Sequence, residues 1–120
     1  KNGKEFTSFL PAISNKAKTH IYGEIKQWRL LWMTDKSIEN IAEKLNPIIR
    51  GWLNYYGKYG RRELAKVLEN INKHLCYWVR RKYKKYKHKP KQSRKYLRML
   101  SIKNKTLFEH WKVGILPTTG

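Results

Sequence analysis

Acidic residues are scarce in this chain: eight Asp and Glu stand against 28 Lys and Arg, and Asp35 is the lone aspartate. A two-metal nucleotidyl-transfer centre needs clustered carboxylates, so none is expected. Cysteine is nearly absent too. Cys76 alone cannot form an internal disulfide, which excludes a secreted framework of staples. His20, His74, His88 and His110 have no ligand spacing to one another or to Cys76, so no metal site is expected. There is no Gly-rich phosphate loop and no Gly-x-Ser-x-Gly turn, and no cofactor is expected. No apolar run approaches the ~18 residues of a membrane span. The opening Lys1-Asn2-Gly3-Lys4-Glu5 lacks an apolar signal core. The expected location is therefore the bacterial cytoplasm or an organelle, without secretion or membrane partner. The chain opens on Lys1 rather than Met, as a processed product or a piece of a longer polypeptide would.

What is present is positive charge and aromatic surface. The 120 residues are 40% hydrophobic, enough for one modest core. A formal charge of +20 opposes compaction by self-repulsion, so a polyanionic partner is implied: nucleic acid, an anionic membrane or an acidic protein. Five Trp and eight Tyr lie among the cations, and flat rings beside cations suit base stacking. Most of the Trp side chains are nevertheless expected in the core, where large rings dominate burial.

Apolar spacing of three and four predicts an all-α chain with no strand. Residues 1–13 read as an extended lead-in. Ser14 is the expected cap of a first helix over 14–32, with Ile21, Ile25, Trp28 and Trp32 on its apolar side. A turn at Met33–Lys36 precedes a stripe running from Ile38 to Tyr56. Pro47 is expected to kink that segment, or Asn46 to cap a fresh start there. Gly57 and Gly60 are expected to end it in the left-handed conformation. Leu64, Val67, Leu68, Ile71, Leu75, Trp78 and Val79 define a third helix over 61–86. Pro90 breaks the run before a shorter fourth helix at 91–101. Leu107, Phe108 and Trp111 could dock back on the bundle, and Gly114–Gly120 reads as a fraying end. The expected architecture is a basic bundle of three main helices plus a shorter C-terminal helix. Its divisions are a lead-in at 1–13, a helical domain at 14–89, and a basic helix and tail at 90–120.

The cations have helical spacing of their own. Lys66, Asn70, Lys73, Tyr77, Arg80 or Arg81, and Lys84 line one face of the third helix, opposite its apolar stripe. Lys18, Tyr22, Lys26 and Arg29 do the same on the first. Packed side by side, the two faces would make one positive surface. The densest run is Arg80–Lys89, where Tyr83 and Tyr86 could stack on bases or seal the bundle end. Glu69 near Lys66 and Lys73, and Glu39 near Glu43 and Lys44, read as helix-surface charge pairs.

The most distinctive segment is Asn46-Pro47-Ile48-Ile49-Arg50-Gly51-Trp52-Leu53-Asn54-Tyr55-Tyr56. Trp52 and Tyr56 lie one turn apart on its apolar side, while Arg50, Asn54 and Tyr55 point outward. It resembles the signature of the maturase-specific domain of group II intron reverse transcriptases, also called domain X or the thumb. That pattern is Asn-Pro, then Arg-Gly-Trp, then Asn-Tyr-Tyr. The resemblance extends from Phe9, Pro11, Ser14 and Lys16 through Leu75, Trp78 and Arg81 to Leu107-Phe108-Glu109-His110-Trp111. It implies a helical thumb beside a polymerase palm. Such a domain binds intron RNA, helps it fold for splicing, and holds the primer–template during reverse transcription. The family's Tyr-x-Asp-Asp polymerase motif and its His-Asn-His endonuclease are missing from this sequence. The chain is therefore expected to bind rather than catalyse, next to palm and fingers on the same or another chain.

The candidate RNA-contacting residues are Lys16, Lys18, Tyr22, Lys26, Arg29, Arg50, Asn54, Tyr55, Lys58, Arg61, Arg62, Lys66, Lys73, Tyr77, Arg80, Arg81, Lys84 and Lys85. Structured RNA, in the form of a group II intron, is the leading partner. DNA or an RNA–DNA primer–template is the second. Two other readings compete. A duplex-DNA-binding module of the helix-turn-helix kind would use Arg61-Arg62-Glu63 at the start of the third helix, but no short turn joins two short helices. A ribosomal-protein-like scaffold would be buried in one RNA without intron preference. An independent nuclease lacks the carboxylates.

Overall fold

The computed structural model describes residues 14–58 and 60–118, all of them helix, turn or coil. The expected lead-in at 1–13 lies outside the described residues. Five α-helices follow in order: α1 Asn15–Gln27, α2 Ile38–Tyr56, α3 Arg61–Lys82, α4 Pro90–Lys103 and α5 Glu109–Lys112. Two 3₁₀ turns, Leu30–Trp32 and Lys84–Tyr86, stand before α2 and after α3. The all-α reading holds. Nine residues of α3 are buried against four of α2, which makes α3 the central element. Helices α1 and α4, and both 3₁₀ turns, pack on it.

Capping explains the helix starts. Ser14 Oγ accepts from the Ala17 N–H at 3.1 Å, as expected, and Ser37 Oγ does the same for Asn40 at 3.1 Å. Pro90 occupies the first turn of α4, where its missing N–H costs nothing. Arg80, Arg81 and Lys82 sit in the last turn of α3, favourable against the helix dipole.

Several boundaries differ from the sequence reading. The first helix stops at Gln27 instead of residue 32, because Arg29 adopts the left-handed conformation at φ 53°. That bend takes Trp32 off the apolar stripe and leaves it exposed. Helix α2 runs unbroken through Pro47, so no new helix starts there. Gly57 and Gly60 end α2 without left-handed geometry: Gly57 is right-handed at φ −61° and Gly60 extended at φ 176°. Helix α3 ends at Lys82 rather than 86, and His88 takes a left-handed turn at φ 67°. Of the Trp rings, only Trp78 and Trp111 are fully buried. Trp28 and Trp52 are half-buried and stack on each other with centroids 5.6 Å apart.

Leu107, Phe108 and Trp111 dock on the bundle as expected, and residues 114–118 of the expected fraying end continue them as an ordered strap. Phe108, Trp111 and Ile115 join the core, and Pro117 is buried. Asn46 fastens the strap to α2: its Nδ2 donates to the Leu107 carbonyl at 2.9 Å, and its Oδ1 accepts from the Glu109 N–H at 2.9 Å. Asn72 fastens it to α3. The Asn72 Oδ1 accepts from Trp111 Nε1 at 2.9 Å, while its Nδ2 donates to the Ile115 carbonyl at 3.2 Å. An indole nitrogen only donates, which fixes the orientation of the Asn72 amide. His110 Nε2 lies 2.8 Å from the same Oδ1 and must therefore donate too. That leaves His110 Nδ1 as a bare acceptor, buried without a partner.

Two measurements test this network. Asn72→Ala strands two buried donors and is expected to cost about 2–6 kcal/mol in denaturant unfolding, at about 1–3 kcal/mol each; a cost near zero would mean the strap is not held this way. Burial also pushes the His110 pKa down to about 3 from the ordinary 6.5, so the native ring stays neutral while the unfolded one takes a proton. Stability from this ring is complete above the ordinary value and is lost as pH falls below it. Unfolding between about pH 6 and 5 should show a loss approaching 1.4 kcal/mol per pH unit. His110→Gln should remove that slope; its persistence would assign it to another group.

Candidate nucleic-acid interface

Alternation of apolar and cationic positions along α3 buries one side and leaves the other facing a groove. Helix α1, helix α4 and the end of the strap complete its walls, enclosing a cavity of about 540 Å³. Tyr22 comes from α1, Lys66, Lys73, Tyr77 and Arg80 from α3, and Arg94 from α4. Pro117 and Thr118 close the strap side. Among the described residues Glu69 is the one carboxylate lining it. Five of the candidate RNA-contacting residues thus converge, together with Asn70 of the same face, and α1 lies beside α3.

Charge in the groove is largely uncompensated. Among the described residues Glu69 has no ion-pair partner within 4 Å, unlike the pairing expected with Lys66 and Lys73. The carboxylate that Lys66 does approach is Glu63, 3.7 Å away, which also lies 2.8 Å from Lys18. The hydrogen-bonded Lys18 ammonium holds the Glu63 carboxyl below its usual range. Lys18 is therefore half-buried and committed to the α1–α3 contact. At the groove floor, burial pushes the Cys76 thiol up to about 11, opposed by the Arg94 and Arg80 charges. Two guanidinium groups from different helices thus act on one point.

The other candidates scatter. Arg50 belongs to the strap: its guanidinium lies 3.0 Å from Glu109 Oε2, which Lys112 also reaches at 3.0 Å. Those contacts, led by the one from Arg50, lower the Glu109 pKa. Asn54, Tyr55 and Lys58 sit at the exposed end of α2, with Tyr55 edge-on to Tyr56. Arg61 and Arg62 line a second cavity of about 330 Å³ beside Leu53 and Val113. Lys16 and Lys26 are exposed on α1, and Arg29 in the bend after it. Arg81 leaves the groove to lie 4.3 Å from the Trp32 ring centroid. Lys84 and Lys85 ride on the second 3₁₀ turn, with Lys85 Nζ 5.6 Å from the Tyr86 ring. Tyr83 and Tyr86 seal the bundle end: Tyr83 packs edge-on to Trp78 and Tyr96, at 6.1 and 6.0 Å.

Two functional positions were missed in the sequence. Arg94 flanks the buried Ser93–Leu97 face of α4, and the small Ser93 was the available signal that α4 packs closely on α3. Asn72 was passed over inside an apolar stripe, where a buried polar residue signals a partner. Among the described residues, no group of three or more His, Cys, Asp or Glu could hold a metal ion, and no helix is long and apolar enough to cross a membrane.

A family model described as "Group II intron, maturase-specific domain" matches residues 18–97, more than half of the chain. That span contains every charged and aromatic residue of the groove and stops before the strap. No curated protein and no solved structure matches the chain.

The thiol reports on groove geometry. Cys76 is expected to react with iodoacetamide at mildly alkaline pH roughly tenfold or more slowly than free cysteine, because little of it is thiolate. Denaturant should abolish the difference. A rate equal to free cysteine in the folded chain would show that the floor is open.

Proposed function

The chain belongs to the group II intron maturase-specific domain family, and from this we propose that its α1–α3–α4 groove binds structured intron RNA and thereby assists splicing. The observation that carries the reading is the convergence of Lys66, Lys73, Arg80 and Arg94 with Tyr22 and Tyr77 around one cavity, against a single carboxylate. Close-spaced cations neutralise phosphates and release counterions. Aromatic rings between them accept unstacked bases, a mode more useful on RNA loops than on regular duplex. The domain acts by binding and positioning, with no chemistry of its own. In the same reading it can hold an RNA–DNA primer–template beside a polymerase palm on the same or another chain.

The test is a salt series with the purified chain, a structured group II intron RNA and duplex DNA of equal length. A preference for the RNA that survives at physiological salt supports the reading; equal affinities that fade together reduce it to polyanion binding, and a preference for DNA overturns it. Replacing Lys73, Arg80 and Arg94 together by Ala should lower the slope of log affinity against log salt by about one per cation lost. Arg50→Ala should change it less, since Glu109 already compensates that charge. An unchanged slope in the triple variant would place the RNA on another face.

A further inference from the structure

Trp32 is the one tryptophan left without a packing role. Trp78 and Trp111 are buried, and Trp28 and Trp52 cover each other, whereas Trp32 is 61% exposed. An exposed indole is costly in water, yet this one is held firmly. Leu30, two residues earlier, is fully buried and anchors the 3₁₀ turn. The Trp32 N–H donates to the Arg29 carbonyl at 2.9 Å. The Met33 carbonyl accepts from Trp78 Nε1 at 2.7 Å, and Lys82 Nζ donates to the Thr34 and Lys36 carbonyls at 2.8 Å each. The bend that turns the ring outward places Arg29 in the left-handed region at φ 53°, a conformation disfavoured for an L side chain. Strain of that kind persists where the surroundings impose it.

The Arg81 guanidinium lies 4.3 Å from the indole centroid. Arg80, the preceding residue, lines the groove. Arg81 thus shares the last turn of α3 with a groove residue. Arg29 and Lys36 stand three and four residues from Trp32 in the chain, Lys82 Nζ reaches the Thr34 and Lys36 carbonyls of the following turn, and Asp35 lies 3.9 Å from Lys36. A flat ring, steadied by one guanidinium and set among cations, suits a planar group attached to an anion.

We propose that Trp32 and Arg81 form a stacking platform for an unpaired base of the bound RNA, adjoining the groove that takes its backbone. The base stacks on the indole while Arg81 and its neighbours meet the flanking phosphates. Duplex bases are already stacked and cannot use the platform, so it selects loops, bulges or single-stranded ends. The proposal rests on RNA being the partner of the groove.

The experiment compares two RNA hairpins with the same stem, one capped by a minimal tight loop and one extended by a single-stranded uridine tract. Trp32→Ala in the full chain is expected to weaken binding of the tailed hairpin by roughly 5- to 100-fold, the range for loss of one base–aromatic stack. The untailed hairpin, whose tight loop leaves no base free to stack, should change little, and the salt slope of neither should shift, because no cation is removed. Trp32→Phe should restore most of the affinity. Binding of the tailed hairpin should also quench tryptophan fluorescence in the wild type more than in Trp32→Ala. The ring is exposed, so the variant should keep its unfolding midpoint, which is checked in parallel. Equal losses on both hairpins, or no loss on either, would overturn the platform. A groove variant that still lowers the salt slope in that case leaves the RNA reading standing, whereas failure of the wild type to bind either hairpin would bring down both.

Discussion

A single buried carboxamide connects the fold's two halves. Asn72 sits in the apolar stripe of α3, where an unpaired amide would be prohibitive, and it uses both ends of its side chain to hold the C-terminal strap. Without the strap, α3 would carry an unsatisfied polar group in its core. Without Asn72, Trp111 and His110 would bury donors with nothing to receive them. Hydrophobic burial of Phe108 and Trp111 supplies the attraction, and the amide supplies the register. Asn46 repeats the device on α2, so the strap is pinned to two helices at once. The end of the same strap is a wall of the groove, which links a core interaction to the geometry of the surface.

The charge of the chain is sorted rather than spread. Lys18, Arg50 and Lys112 are spent on Glu63 and Glu109, where they tie elements together. Lys82 caps carbonyls of the turn before α2. The cations of α3 and α4 that line the groove have a single carboxylate, Glu69, among them. Compact folding at +20 requires such a division: some cations offset the few carboxylates inside the structure, and the remainder gather where a polyanion would neutralise them.

Helical period exposed most of this in the sequence. The stripes of α2 and α3 named the core, Ser14 named a cap, and the i, i+3 and i, i+4 cations of α3 named one side of the groove. What escaped was set by tertiary contacts that no local pattern carries. Arg29 breaks a helix that propensity would continue, because burying Leu30 requires the chain to turn. Pro47 sits within α2 because packing of Ile41, Leu45 and Ile49 outweighs one missing hydrogen bond. The end of the strap looked loose because Gly114 and Pro117 suggest it, whereas the asparagine anchors of the strap lie 38 to 63 residues away. Arg50 read as an outward polar group and Asn46 as a possible helix cap; their partners, Glu109 and Leu107, are invisible to periodicity. Arg94 was overlooked because the fourth helix was read only for its apolar side.

The strap also sets an order of events. Helices α1 to α4 are built largely from short-range contacts, which form quickly. The pairs Asn46–Glu109 and Asn72–Ile115 close long loops, and that entropy is recovered only when the last turn docks. Until then α3 has an exposed seam and the groove lacks one wall. A chain emerging from the ribosome would therefore assemble its cationic face before it could close the pocket, and competence for a shaped ligand would arrive in one late step. Affinity for polyanions in general and discrimination among them would thus mature at different times in the life of the molecule.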